Sequence, residues 1–419
     1  MTPQNTPKSV LVLLVGEVLG DPRVLRTCRS LAKAGAKVTV GCTNPDGRPA
    51  RESVDGIDII RFEHHRESSL KRLYNSVIDR VHPAAGQRLS RIHGDVPRSK
   101  AATFLRNLAL TANHRHVMKH IRAVNRLMVR EFSTGEFDLV HANDVTTIAA
   151  GHELRLRGAA REFLYDTHEF WPGVGVHGSA PNRLHNHYEG RYIGTADYVV
   201  TVNRLIAGKL RELYGLRDKP AAVMNCPDKY SGEVRIDGVH APVRLLYQGK
   251  VQAFRGLEEL VLSLKWIDGA HLTVAGYGPL EKHLRLLAQE EGLDDRITFT
   301  GRYDPAETLS MAANHDIGVL PFKPVTLSIM YSSPNKLFDY LMSGLAVASS
   351  RLEFIGPFVD EHDIGAVFHS LVPEEIAGTL NGLVADIPRL VACKRRAREL
   401  ALSTYTWERQ FDLNYPWKP

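Results

Sequence analysis

The chain holds four cysteines in 419 residues, Cys28, Cys42, Cys226 and Cys393, scattered without the close pairs that a metal site or a disulfide framework needs. They read as reduced thiols. No apolar run approaches the roughly 20 residues needed to cross a bilayer. The start, Met1 to Ser9, has Lys8 as its only charged side chain and no apolar signal-peptide core, so a cytoplasmic protein is expected. The basic stretches lack an aromatic-rich platform, and no zinc-finger or RNP-like pattern occurs, which argues against nucleic acid as a partner.

What is present is the composition of a soluble globular protein, 43% hydrophobic and 24% charged. The chain is too long for one core, and two domains of roughly 200 residues each are expected. Net charge is +6, unevenly spread. Residues 66–130 contain fourteen Lys/Arg against three Asp/Glu, a local +11 that leaves the rest at −5. Leu70, Leu73, Val77, Ile78, Phe104, Leu105, Leu108 and Leu110 give this block amphipathic helical character. A basic helical insertion of this kind suits an anionic membrane surface or an anionic acceptor; a solvated helical insertion reads the same way.

Short apolar runs alternate with helical patterns along almost the whole chain, the signature of parallel sheets covered by helices. Strands are expected at 10–15, 37–42, 57–62, 138–142, 163–167, 198–202 and 221–224. After a break rich in Gly, Pro, Asp and Ser, they resume at 243–247, 271–274, 297–300, 317–320, 346–349 and 366–368. This predicts an α/β chain with a first Rossmann-like domain over 1–228, a linker over 229–242 and a second Rossmann-like domain over 243–398. Two doubly wound domains would set the carboxyl ends of both sheets around a central cleft, where open α/β sheets place ligands. In the C-terminal segment, 399–419, Tyr405, Trp407 and Trp417 suit packing back onto the first domain or simple core packing alike.

The chemistry clusters at strand ends. In Tyr331-Ser-Ser-Pro-Asn-Lys-Leu-Phe-Asp-Tyr-Leu-Met-Ser-Gly344, Ser333 suits an N-cap and Pro334 the first helical position. The backbone N–H groups of Asn335 and Lys336 would then face a phosphate. Asp339, about one and a half turns on, is placed for ribose hydroxyls. An ordinary capped surface helix has the same pattern. Gly249-Lys250 and Arg255-Gly256 end the first strand of the second half, with two cations that can converge on a pyrophosphate. Gly276-Tyr277-Gly278-Pro279 lacks the third glycine of a dinucleotide fingerprint and reads as a close-approach turn, with Pro279 opening a helix. Arg302 follows the next strand, in a loop suited to lie against a nucleobase. In the first half, Gly16 opens an extended loop, and Asp21 with Pro22 makes a helix start. His141, Asp166, His168 and Glu169 also end strands, where a histidine beside a carboxylate can move a proton or bind a sugar hydroxyl. No third ligand accompanies them at metal-site spacing.

Taken together, Asp21, Arg23, Leu31, His141, Tyr165-Asp-Thr-His-Glu169, Gly249-Lys250, Arg255-Gly256, Pro334-Asn-Lys-Leu-Phe-Asp-Tyr340 and Gly344 resemble a retaining glycosyltransferase of family 4. The resemblance covers roughly Val10 to Phe368, with 66–130 the least familiar part. It implies the GT-B fold and transfer of a sugar from a nucleotide-diphosphate sugar to an acceptor hydroxyl, with no cofactor and no bound metal. It further implies that Lys250 and Arg255 neutralise the donor pyrophosphate, that Asp339 binds the donor ribose and that His168 reaches the donor sugar. Gly16, Gly249, Ser333, Asn335, Lys336 and Arg302 are the remaining donor-side candidates; Asp21, His141 and Glu169 are the acceptor-side ones. Eight residues before Asp339, where the family signature has its first Glu, stands Tyr331. A related branch with Pro-Asn-Lys-Leu-Phe-Glu-Tyr resembles the chain in lacking that acid. The basic block suits a lipid-linked or anionic acceptor met at the inner membrane face, and a soluble small-molecule acceptor is the other reading. A nucleotide-sugar 2-epimerase, a dehydrogenase and a non-catalytic sugar-nucleotide-binding protein are the alternative readings.

Overall fold

The computed structural model describes residues 8–44, 47–63, 118–174 and 180–419. Most of the expected basic insertion, 66–117, lies outside the described residues. By its internal contacts the chain divides into two compact units, Met1–Phe163 and Leu164–Pro419.

In the first unit, strands β1 (Ser9–Leu13), β2 (Lys37–Asn44), β3 (Arg51–Val54), β4 (Ile57–Glu63) and β5 (Phe137–Asn143) take the order β3-β4-β2-β1-β5. The pairings of β1 with β2 and β5, and of β2 with β4, are parallel. Val10, Leu11, Val12 and Leu13 are fully buried, because side chains on both faces of a covered parallel sheet leave water. β3 was not expected. It pairs antiparallel with β4 across Asp55-Gly56, both at positive φ, the primed hairpin turn that an Asp-Gly pair favours. Helix Pro22–Lys33 starts as the sequence implies: Asp21 Oδ1 accepts from the N–H groups of Arg23 and Val24, both at 3.1 Å. Residues 118–132 are helical, with Lys119, Arg122, Arg126 and Arg130 along an exposed face.

The Gly16 loop is held by an ion pair that sequence reasoning missed. The Arg61 side chain, fully buried, meets Glu17 at 2.7 Å and Glu52 at 2.5 Å, while its Nη1 donates to the Pro49 carbonyl. Burial works against the Glu17 carboxylate, but Arg61 and the Leu19 N–H hold its pKa below the usual range.

Strand β6 (Ala160–Thr167) runs across the division. In the second unit it pairs in parallel with β7 (Tyr198–Thr201), and β7 with β8 (Ala221–Ala222). Residues 223–242 have no regular structure. A six-stranded sheet follows, made of β9 (Val243–Gln248), β10 (Ala270–Ala275), β11 (Ile297–Gly301), β12 (Ile317–Leu320), β13 (Ala346–Ser350) and β14 (Gly365–Phe368), in the order β11-β10-β9-β12-β13-β14. All its pairings are parallel. Alternate residues enter opposite cores: Leu245 and Tyr247 pack with Leu260, Val274 and Leu380, and Leu246 with Phe338, Leu341 and Val347.

One buried ion pair pins this unit together. Lys394 Nζ lies 2.7 Å from Asp316 Oδ1 and 2.9 Å from the Gly238 carbonyl. Asp316 Oδ2 accepts from the N–H groups of His240 and Arg244. Burial alone would raise the Asp316 carboxyl, but Lys394 and these N–H groups hold it below its ordinary value. The helix Trp407–Asn414 packs beside the irregular segment: the Trp407 N–H donates to the Pro227 carbonyl, and Gln410 Oε1 accepts from the Met224 N–H.

Candidate donor-binding site

The carboxyl end of β9 is shaped by three loops that touch backbone to backbone. Gly249 stands at φ +120, and its N–H donates to the Ala275 carbonyl at 2.8 Å. A Cβ on Gly276 would lie 1.9 Å from the Gly249 carbonyl oxygen, and one on Gly278 2.1 Å from that of Val251. These glycines therefore serve close approach of loop to loop, as the weak Gly-x-Gly pattern implied. Pro279 does not open the next helix, which begins at Glu281 after a turn.

Onto this frame the sheet projects its charges. Arg255 leads into helix Leu257–Ser263, and its guanidinium carbon sits 5.0 Å from the centroid of Phe322, just beyond β12. Lys336, in the first turn of helix Asn335–Met342, places Nζ 5.2 Å from the same centroid and 4.0 Å from that of Tyr247. Two cations thus share one ring. Lys250, expected to partner Arg255, is exposed, and its carbonyl accepts from the Tyr247 hydroxyl at 2.8 Å. Asp339 accepts from Gln248 Nε2 at 3.2 Å. Helix and strand are locked by Tyr340, whose hydroxyl donates to the Leu246 carbonyl and accepts from the Gln248 N–H. Tyr303 lies by Asp339, its hydroxyl pKa raised by burial and by that carboxylate. Arg302 stacks on Tyr277 with its guanidinium carbon 4.0 Å from the ring centroid.

The helix start differs from the expected cap. Pro334 takes the N-cap position and no side chain caps it. Ser333 is buried instead, donating to the Val202 carbonyl and accepting from Asn203 Nδ2, both at 3.2 Å. Asn203 competes for that hydroxyl because it also binds the Tyr331 carbonyl at 2.8 Å, while its Oδ1 caps helix Arg204–Tyr214. The Asn335 side chain accepts from Asn225. Among the described residues, no side chain caps the N–H groups at the helix start.

Tyr331 is buried, its ring 5.3 Å from that of Phe170 and 5.8 Å from Lys209 Nζ. Beside Phe170, Ser328 donates to Glu169 Oε2 at 3.5 Å, and His168 Nε2 lies 3.7 Å from Asp166 Oδ2. His168 and Glu169, both forecast from strand-end position, are therefore in the same unit as Arg255, Lys336 and Asp339.

Comparison with known proteins places this geometry. Residues 242–386 match the family described as Glycosyl transferases group 1, and residues 23–227 match Glycosyltransferase Family 4. The chain is 25% identical over 159 residues to the GDP-mannose-dependent alpha-(1-6)-phosphatidylinositol monomannoside mannosyltransferase of Mycobacterium tuberculosis. It is 28% identical over 196 residues to the amylovoran biosynthesis glycosyltransferase AmsK of Erwinia amylovora. These matches take in 37% and 44% of the chain, and 41% and 47% of the relatives, so they span less than half of each relative's length. Among solved structures, sucrose-phosphate synthase from Thermosynechococcus elongatus superposes with a TM-score of 0.63 at 16% identity, covering 96% of both chains. HepE of Anabaena, solved with UDP and glucose, has a TM-score of 0.63 at 14% identity over 97% of both chains. The chain has the GT-B fold, with one glycosyltransferase family match in each half.

The first-unit candidates are each engaged within their own unit. Asp21 has its carboxylate engaged as a helix cap. His141 is fully buried on β5, opposite Val12. The Gly16 carbonyl accepts from the Thr43 N–H. Sequence reasoning missed Phe322, Gln248 and Tyr303. Pro321-Phe322 directly follows an apolar strand, and that position is the signal that marks Phe322 as a site residue.

Proposed function

We propose that this glycosyltransferase takes a sugar from a UDP- or GDP-linked donor and passes it, with retained configuration and without a resident metal, to an acceptor hydroxyl. The observation that carries the reading is the pairing of Arg255 and Lys336 on Phe322, beside Gly249 and the uncapped start of helix Asn335–Met342. Such a group of fixed positive charges suits a leaving diphosphate, each well-placed donor lowering the barrier by roughly 3 kcal/mol. Asp339 and the buried Gln248 Oε1, which has no hydrogen-bond partner among the described residues, offer acceptors to paired ribose hydroxyls. Arg302 on Tyr277 offers a stacking wall for the base.

As the bond from anomeric carbon to phosphate oxygen breaks, Arg255, Lys250 and Lys336 meet the charge gathering on the diphosphate. The acceptor oxygen attacks from the same face, and its proton passes to the departing phosphate oxygen. His168, oriented by Asp166, serves the donor sugar's hydroxyls. Where the family has its first acid, the buried Tyr331 presents an aromatic wall packed on Phe170, so this enzyme's donor sugar is read without that carboxylate. The acceptor is lipid-linked or anionic, and the basic face of helix 118–132 supports work at the inner surface of an anionic membrane.

The test is slow donor hydrolysis, with water standing for the acceptor. Purified enzyme is given a panel of UDP- and GDP-sugars in EDTA, and the first anomer released is read by proton NMR. Retained configuration at a rate indifferent to EDTA is expected. An inverted first product, or a rate restored only by added Mg²⁺, overturns the reading.

A further inference from the structure

Phe254 combines two features that ordinary surface residues lack together. Its side chain is 56% exposed, and among the described residues no ring or cation is stacked on it. A single exposed phenylalanine is common. This one is held at φ +68, in the left-handed region where Cβ crowds the following carbonyl and which bulky residues rarely enter. Glycine would make the same turn without strain, as Gly256 does two residues on at φ +65. A large ring thus stands in water at a position whose backbone favours none, and strained residues of this kind gather at ligand sites.

The sheet order shows which part of a donor this ring meets. The second-unit sheet runs β11-β10-β9-β12, so the chain leaves β9 on one side and returns at β12 on the other. The loops after β9 and β12 therefore flank the point where open α/β sheets take their ligand. Phe254 belongs to the first of these loops and is tied to the second, its carbonyl accepting from the Lys323 N–H at 3.1 Å. Lys323 is fastened in turn, its Nζ lying 2.6 Å from Glu259 in helix Leu257–Ser263. Along this edge the donor-site groups fall in order. Arg302 and Tyr277 follow β11 and β10, Gln248 ends β9 with its amide on Asp339, and Arg255 and Phe322 follow β9 and β12. A nucleotide with its base at Tyr277, its ribose at Asp339 and its diphosphate at Arg255 runs from β11 towards β12. Its sugar then comes to the β12 side, where Phe254 and the exposed Val325 stand.

We infer that Phe254 is the platform for the transferred sugar: the C–H face of a hexopyranose ring lies on the Phe254 ring, while Arg255 beside it holds the diphosphate. This contact rests on the donor-site reading above and adds to it the group that meets the sugar itself. The strained turn is then explained, since it lifts the ring off its own loop and into the path of the ligand.

Titration of wild type, F254N, F254G and F254Y tests it, with the UDP- or GDP-hexose that wild type binds most tightly and with the free nucleotide of the same base. Asn and Gly both accept left-handed backbone, so these two variants remove the ring and keep the turn. Both are expected to hold the free nucleotide as wild type does and to lose about tenfold in affinity for the nucleotide-hexose; F254Y, which keeps the ring, is expected to bind both as wild type does. Equal loss for nucleotide and nucleotide-hexose in the ring-free variants, or no loss for either, overturns the inference and leaves the donor-site reading standing. Binding of neither UDP nor GDP by wild type overturns the donor-site reading and this inference with it.

Discussion

Gly256 governs where Arg255 points. It stands at φ +65, in the left-handed region, and a Cβ there would lie 1.9 Å from the Pro321 carbonyl oxygen. G256A must therefore push apart the Arg255 loop and the Pro321-Phe322 segment that carries the shared ring. The expected outcome is a loss of about 1 to 3 kcal/mol in stability from the strained backbone, together with at least tenfold weaker UDP or GDP binding. Chemical denaturation and nucleotide titration measure the two effects; unchanged nucleotide affinity in G256A would show that the Phe322 pairing does not make the site. At this scale the sequence was a good guide to charge and a poor one to pairing. Arg255 and Asp339 stand where the sequence put them, at a strand end and in a helix, whereas Lys336 was read only for its backbone N–H and not for the side chain that reaches Phe322. Ser333 was misread because a local capping pattern gave no sign of Asn203, 130 residues away in the chain, competing for its hydroxyl. Lys250 was set beside Arg255 by spacing, and the ring of Phe322, reached only through the sheet order, adds Lys336 to them.

Elements were more legible than their contacts. The strand at Ile317–Leu320 falls where its apolar run places it, and the others agree within a few residues, because a parallel strand buried on both faces writes itself as a continuous apolar run. β3 escaped for the opposite reason: Arg51–Val54 is polar and only half-buried, and its signal lay in the Asp55-Gly56 turn instead. The helix at 118–132 buries Met118, Ile121, Val124, Met128 and Phe132 and turns Lys119, Arg122, Arg126 and Arg130 outward. Each cation near an anionic surface contributes about 1 kcal/mol. Wild-type enzyme is expected to sediment with phosphatidylglycerol vesicles at about 0.1 M salt and to release at about 0.5 M, as screening shortens the reach of charge. Replacing the four cations by Gln should weaken that association at least tenfold while leaving nucleotide binding intact. Equal sedimentation with neutral phosphatidylcholine vesicles would contradict a role for this face.

At the scale of the whole molecule, the alternation of strands and helices announced two Rossmann-like halves, and superposition on known GT-B structures over 96% of the chain agrees. The substrate is harder to read, since fold and chemistry part company where Tyr331 replaces an acid. The central claim is that Arg255 stabilises a leaving diphosphate. The measurement that tests it most directly is steady-state turnover of the preferred nucleotide-sugar by wild type and R255A, with circular dichroism confirming that the variant is folded. The account predicts a fall in kcat of roughly 10²- to 10³-fold, the cost of removing one preorganised charge from a developing anion. A folded R255A that turns over donor at the wild-type rate would contradict it.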